Sequence, residues 1–119
     1  MTKTQRIIYW VLLVLVTAAF LGAGSMKLLG NQMEVGMFAK WGYPLWFMYF
    51  TGVCEVAGAI GLHVKKVSRL AAICLIVLLC CAVATHVFHG EGLIAPIPAT
   101  TLMLFLFGIL YLKAKNGTV

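Results

Sequence analysis

The chain has 119 residues, 63% of them hydrophobic and 10% charged, with a mean hydropathy of +1.04. A soluble domain carries about 25% charged residues, so this composition excludes one and points to a membrane protein. The net charge of +6 invites a nucleic-acid partner, but the basic residues sit at the ends of apolar stretches, which is an orientation signal and rejects that partner.

Four apolar stretches follow one another, at about residues 7–29, 44–63, 70–89 and 96–112. The expected fold class is all-α: an integral membrane four-helix bundle forming a single domain over residues 1–119. The first span opens on Ile7, Ile8, Tyr9 and Trp10, whose aromatic rings suit the membrane interface. Ala18, Gly22 and Ser25 share one of its faces, and the Ala18-x-x-x-Gly22 pair permits close approach of another helix. Lys3 and Arg6 precede it as in a signal peptide, but the apolar run is longer than a usual signal core, so the span is expected to be retained.

Residues 31–43 place Met33, Val35, Met37 and Phe38 beside Gln32, Glu34 and Lys40, the pattern of a short amphipathic helix at the outer interface. Pro44 suits the first turn of the second span, flanked by Trp41, Tyr43 and Trp46. That span carries Thr51, Gly52, Glu55, Gly58, Ala59 and Leu62 on one face at helical spacing. An acid in hydrocarbon is expensive, and small neighbours put it against other helices, not lipid. The third span shows Ala72, Leu75, Leu79, Ala82, His86 and His89 at steps of three and four, a packing stripe with two histidines at its outer end. The fourth has no ionisable group before Lys113 and reads as a packing and lipid-facing helix.

Of nine basic residues, only Lys27 and Lys40 fall on the outer side; Lys3, Arg6, Lys65, Lys66, Arg69, Lys113 and Lys115 share the other. The positive-inside rule therefore makes both termini cytoplasmic. The four cysteines, Cys54, Cys74, Cys80 and Cys81, lie within spans and form no C-x-x-C, so a dithiol redox motif is absent and they read as small apolar residues.

The run Gly22-Ala23-Gly24-Ser25-Met26-Lys27-Leu28-Leu29 resembles the end of the first span in DoxX-like membrane proteins. Gly42-Tyr43-Pro44 followed by residues 52–62, and residues 69–72 leading to Ala82-Val83-Ala84-Thr85-His86, look like that family's second and third spans. The resemblance covers residues 10–112 and implies a four-helix membrane bundle in a bacterial inner membrane. The family takes its name from a small membrane subunit of a thiosulfate–quinone oxidoreductase, and members are often labelled oxidoreductases on that basis. More distant relatives assist assembly or trafficking of membrane proteins. These are fold-level associations.

Helical rise places Glu55 roughly 16 Å below Pro44, near the bilayer midplane, with Lys27 and His86 about 10 Å or more above it. The expected constellation is a polar pocket with Glu55 as floor, Lys27 and His86 as rim, and Ser25, Thr51 and Thr85 supplying hydroxyls. Glu55, His86 and Lys27 are its candidate chemical residues. It suits a quinone head group, with His86 donating to a carbonyl and Glu55 exchanging a proton. The alternative is that Glu55 pairs with Lys27 only to lock helix register. His63 is expected on the opposite membrane side from His86 and His89, which argues against a haem within one chain. His86, His89 and Glu91 are the candidate set for a surface metal, weakened by Gly90 intervening. Two functions compete: a membrane subunit or accessory of a quinone-linked redox system with a redox partner, and a non-catalytic factor that docks on membrane proteins or on a second copy of itself.

Overall fold

The computed structural model describes residues 1–116 and is all-helical over them. Five helices follow in order: α1 (Lys3–Leu28), α2 (Gln32–Lys40), α3 (Leu45–Gly61), α4 (Ser68–Phe88) and α5 (Ile97–Asn116). Helices α1, α4 and α5 are long and apolar enough to cross a membrane, and α3 is an apolar helix of 17 residues. The expected amphipathic helix in residues 31–43 is present as α2. The first helix begins four residues earlier than expected because Thr2 and Gln5 form a reciprocal capping box, each side chain bonding the other's backbone N–H.

Helix α1 packs on α3, α3 on α4, α4 on α5 and α5 back on α1, closing a ring. Its core joins Leu13, Val16 and Phe20 of α1 to Ala59 of α3, Leu75 and Leu79 of α4, and Leu106 and Ile109 of α5. The predicted stripe of α4 is confirmed in its inner half, where Ala72, Leu75 and Leu79 are buried. Outside the ring, Val14, Leu15, Phe50, Val53, Ile73, Val77, Leu104 and Phe107 are exposed, the inverse of a soluble surface and suited to lipid contact. The long dimension of 46 Å matches the roughly 40–45 Å of a bilayer with its headgroups. Composition, helix length and this outer surface make the chain a multi-pass membrane protein.

The small-residue contact differs from the expected one. Ala18, Gly22 and Ser25 are exposed, and a methyl group at Gly22 would have nothing within 4 Å. The helices instead meet at Gly24 and Gly52. A Cβ at Gly24 would lie 2.9 Å from Gly52 O and 2.7 Å from Val56 Cγ2. Composition alone offered several small faces on α1, and the one used is that which places Leu13, Val16 and Phe20 in the core.

Candidate functional site

The Gly24–Gly52 crossing sets the register of the site. Lys27 lies one turn beyond Gly24, and its Cβ would stand 3.0 Å from a Cβ at Gly52. Glu55 lies level with Gly24, its Cβ 3.2 Å from a Cβ placed there. Lys27 and Glu55 therefore stand one turn apart on facing helices, and their side chains lean across the crossing to meet, with Lys27 Nζ 2.9 Å from Glu55 Oε1. This corrects the expected separation of about 10 Å. The error lay in taking the end of α1 as the membrane boundary. Gly52 is seven residues into the helix that starts at Leu45, so α1 stops about two turns, or roughly 10 Å, below the start of α3.

Helix α2 fills the resulting gap. Gly30, at φ +68°, closes α1 with bonds from its own N–H to Lys27 O and from Asn31 N–H to Met26 O. The Asn31 side chain then accepts from Met33 N–H and starts α2 at once. The short helix lies over the end of α1 and buries Phe38. It also brings Glu34 Oε2 to 3.7 Å from Lys27 Nζ, so the ammonium stands between two carboxylates. Glu55 is buried at 7% exposure. The Lys27–Glu55 contact is close in distance but off the direction of a hydrogen bond, which leaves Oε1 without one.

Above this pair lies a cavity of about 380 Å³, within the range of small-molecule sites. Lys27, Glu34 and Glu55 contribute its charge. Its walls are largely aromatic: Phe38 from α2, Trp41 and Tyr43 from the turn after it, and Phe47 and Phe50 from α3. Helix α4 closes the far side with Leu79, Ala82, Thr85 and His86. Helices α3 and α4 press together at their inner ends, where Gly58 faces Leu75 and Gly61 faces Ala71. At the outer ends the wall residues Phe50 and Cys81 are exposed, so the lining of the cavity reaches the surface on both α3 and α4.

The rim is a hydrogen-bonded cluster built on a second glycine turn. Gly90, at φ +61°, bends the chain so that Glu91 N–H bonds His86 O. The Glu91 carboxylate then lies 2.6 Å from His86 Nδ1, accepts from Trp41 Nε1 at 3.2 Å, and stands 3.6 Å from Lys40 Nζ. The His86 hydrogen bond is the main cause that holds Glu91 below the usual carboxylate range; partial desolvation opposes it, and Trp41 and the charges of His86 and Lys40 assist. A carboxylate only accepts, so His86 Nδ1 carries the proton in this contact. Beside it, Tyr43 Oη and Thr85 Oγ1 are 2.9 Å apart, and Thr85 Oγ1 lies 2.9 Å from Cys81 O.

Of the predicted residues, Lys27, Glu55, Thr51, Thr85 and His86 all line this cavity. Thr51 spends its hydroxyl on Phe47 O at 2.8 Å. Ser25 is on the exposed side of α1 and takes no part. His89 turns to Thr85 O at 2.8 Å and does not join His86 and Glu91 as a metal set; among the described residues no cluster of three or more His, Cys, Asp or Glu is placed to hold a metal ion. His63 lies 2.9 Å from Thr17 Oγ1 and borders a different cavity from His86. The residues not foreseen are Glu34, Trp41 and the bonding role of Glu91. The signal for Glu91 was present: a Gly one residue after the last turn of a helix returns the next residue over the turn that carries His86.

The chain is 32% identical over 75 residues to "Uncharacterized protein YdgD" of Bacillus subtilis (strain 168), a match covering 60% of this chain and 66% of that protein. No solved structure matches. Residues 11–108, which take in all of α2, α3 and α4, parts of α1 and α5, and every charged residue of the outer cavity, match the DoxX-like family, and the chain belongs to that family.

Proposed function

We propose that the outer cavity holds the head group of a small lipophilic ring compound of the quinone class, and that the chain is a membrane subunit of a redox system. The observation that carries this reading is the Lys27–Glu55 pair, with Glu55 buried, facing an aromatic-walled cavity whose lining includes exposed residues of α3 and α4. Aromatic rings accept a flat apolar ring by stacking. A carbonyl oxygen is an acceptor, and the Lys27 ammonium is the donor beside it. Reduction of a quinone to a quinol takes two electrons and two protons. Glu55 and Lys27 are the groups placed to exchange protons with it. The electrons come from a partner redox subunit, since no flavin or iron–sulfur motif occurs in the sequence.

The same reading sets the chain in a bacterial inner membrane as a bundle of four crossings. Helix α3 is about 25 Å long, close to the roughly 30 Å hydrocarbon core, and α2 extends the bundle outward beside it. The basic residues at the inner end put both termini in the cytoplasm.

The test is tryptophan fluorescence. With Trp10 and Trp46 changed to Phe, Trp41 in the cavity wall is the reporter, and a short-chain benzoquinone is the probe. Saturable quenching that is lost in Glu55→Gln is the expected result. Unsaturable quenching, equal in both proteins, defeats the proposal.

A second reading has its own observation. Ala18, Gly22 and Ser25 form an exposed face of α1, with nothing within 4 Å of a methyl group at Gly22 among the described residues, and this face offers a close-approach surface for another membrane helix. It suits a docking factor or a second copy. Gly22→Leu abolishes recovery of that partner from mild detergent if this face is used, and leaves it unchanged otherwise.

A further inference from the structure

The inner end of the molecule carries a second cavity of about 300 Å³, bordered by Tyr9, His63, Lys65, Ser68 and Lys113. Lys113 is buried at 4% exposure and Ser68 at 1%. Ser68 Oγ has no hydrogen-bond partner. A buried ammonium requires a counter-charge or strong hydrogen bonds, and a buried hydroxyl requires a partner. Lys113 has the face of Tyr9, 5.4 Å from its Nζ to the ring centroid, which is a partial substitute.

No side-chain carboxylate is left for it. The chain has three acidic residues. Glu34 and Glu55 pair with Lys27, and Glu91 pairs with Lys40 and His86, all at the outer end. Ser68 also opens α4, whose N-cap residue Val67 provides no side-chain hydrogen bond to the first turn. A helix start without a cap, a lysine buried beside it and a second lysine at the mouth are the elements of an anion site.

We propose that this cavity binds a phosphate group, with Ser68 Oγ donating a hydrogen bond to it and Lys113 and Lys65 balancing its charge. The chemistry is shared by an anionic phospholipid headgroup and by free phosphate. The site is separate from the outer cavity and does not depend on the function proposed for it.

Native mass spectrometry of the full chain in mild detergent tests the proposal. The probes are short-chain phosphatidylglycerol, short-chain phosphatidylcholine and inorganic phosphate. The expected result is preferential retention of phosphatidylglycerol, its displacement by millimolar phosphate, and at least a tenfold loss of affinity in Lys113→Met. Ser68→Ala loses a few-fold. Lys115→Met, which alters a lysine outside the cavity, binds as the parent does. Retention of inorganic phosphate alone, with the same dependence on Lys113, supports the site and assigns a soluble source. If Lys113→Met does not fold, Ser68→Ala and Lys65→Gln at unchanged melting temperature carry the test. Binding of neither anionic probe, or equal loss in Lys115→Met, overturns it.

Discussion

Lys27 Nζ stands 2.9 Å from Glu55 Oε1 because the helices that carry them cross at two glycines, Gly24 and Gly52, one turn away. The contact is a consequence of backbone approach, and the cavity above it is a consequence of α1 ending deeper than α3 begins. Both follow from one crossing point, which makes the arrangement open to test.

Gly24→Ala places a methyl group 2.9 Å from Gly52 O, a backbone atom that cannot turn aside. Overpacking of this kind costs about 1–3 kcal/mol. The expected outcome is a lower melting temperature in detergent for Gly24→Ala and none for Gly22→Ala, which has open space. Equal effects at the two positions contradict the crossing.

Lys27→Met leaves Glu55 buried without its cation, and Glu55→Leu leaves Lys27 with Glu34 alone. Removing one member of a buried pair costs about 3–5 kcal/mol, whereas replacing both is far milder. Thermal unfolding of the two single variants and the double variant should show strong coupling. Additive losses would mean that the two charges do not interact.

The rim cluster predicts an acid-side instability. Glu91 is held below the ordinary carboxylate range in the folded chain, chiefly by its bond to His86. A group with a depressed folded pKa contributes stability that is present above its unfolded value and lost as pH falls through its folded value. Melting temperature should therefore decline on the acid side of the ordinary glutamate range. Glu91→Gln should flatten that part of the profile, and an unchanged slope would remove Glu91 from the account.

Gly90→Ala forces a side chain into φ +61°, which costs about 1–2 kcal/mol per residue. It should also loosen the return of Glu91 over His86. Histidine resonances in an NMR titration report that directly: His86 should lose its dependence on Glu91 while His63, at the other end, stays as it was.

Much of this architecture is legible in the residues. The apolar runs mark the helices. The face Gly52, Glu55, Ala59 and Leu62 is the buried face of α3, and Ala72, Leu75 and Leu79 mark that of α4. The capped short helix at residues 32–40 follows from its amphipathic pattern. What the residues do not carry is relative depth. Lys27 looks like an interface anchor when helix ends are equated with the membrane surface, and only the crossing point shows that it lies two turns in. The same limit hides the burial of Lys113, which by position alone is one more basic residue beyond a span. It also hides which small face of α1 is used, since Gly22 and Gly24 differ by 200° of helical rotation but hardly in composition.

The most direct measurement of the central claim is mass spectrometry of the small molecules retained by the protein after gentle purification, set beside an Ala82→Phe variant that fills the cavity from α4. The account predicts a quinone-class compound bound to the native chain, depleted in Glu55→Gln and absent from Ala82→Phe. A native chain that retains no such compound, or a filled variant that retains as much, would contradict it.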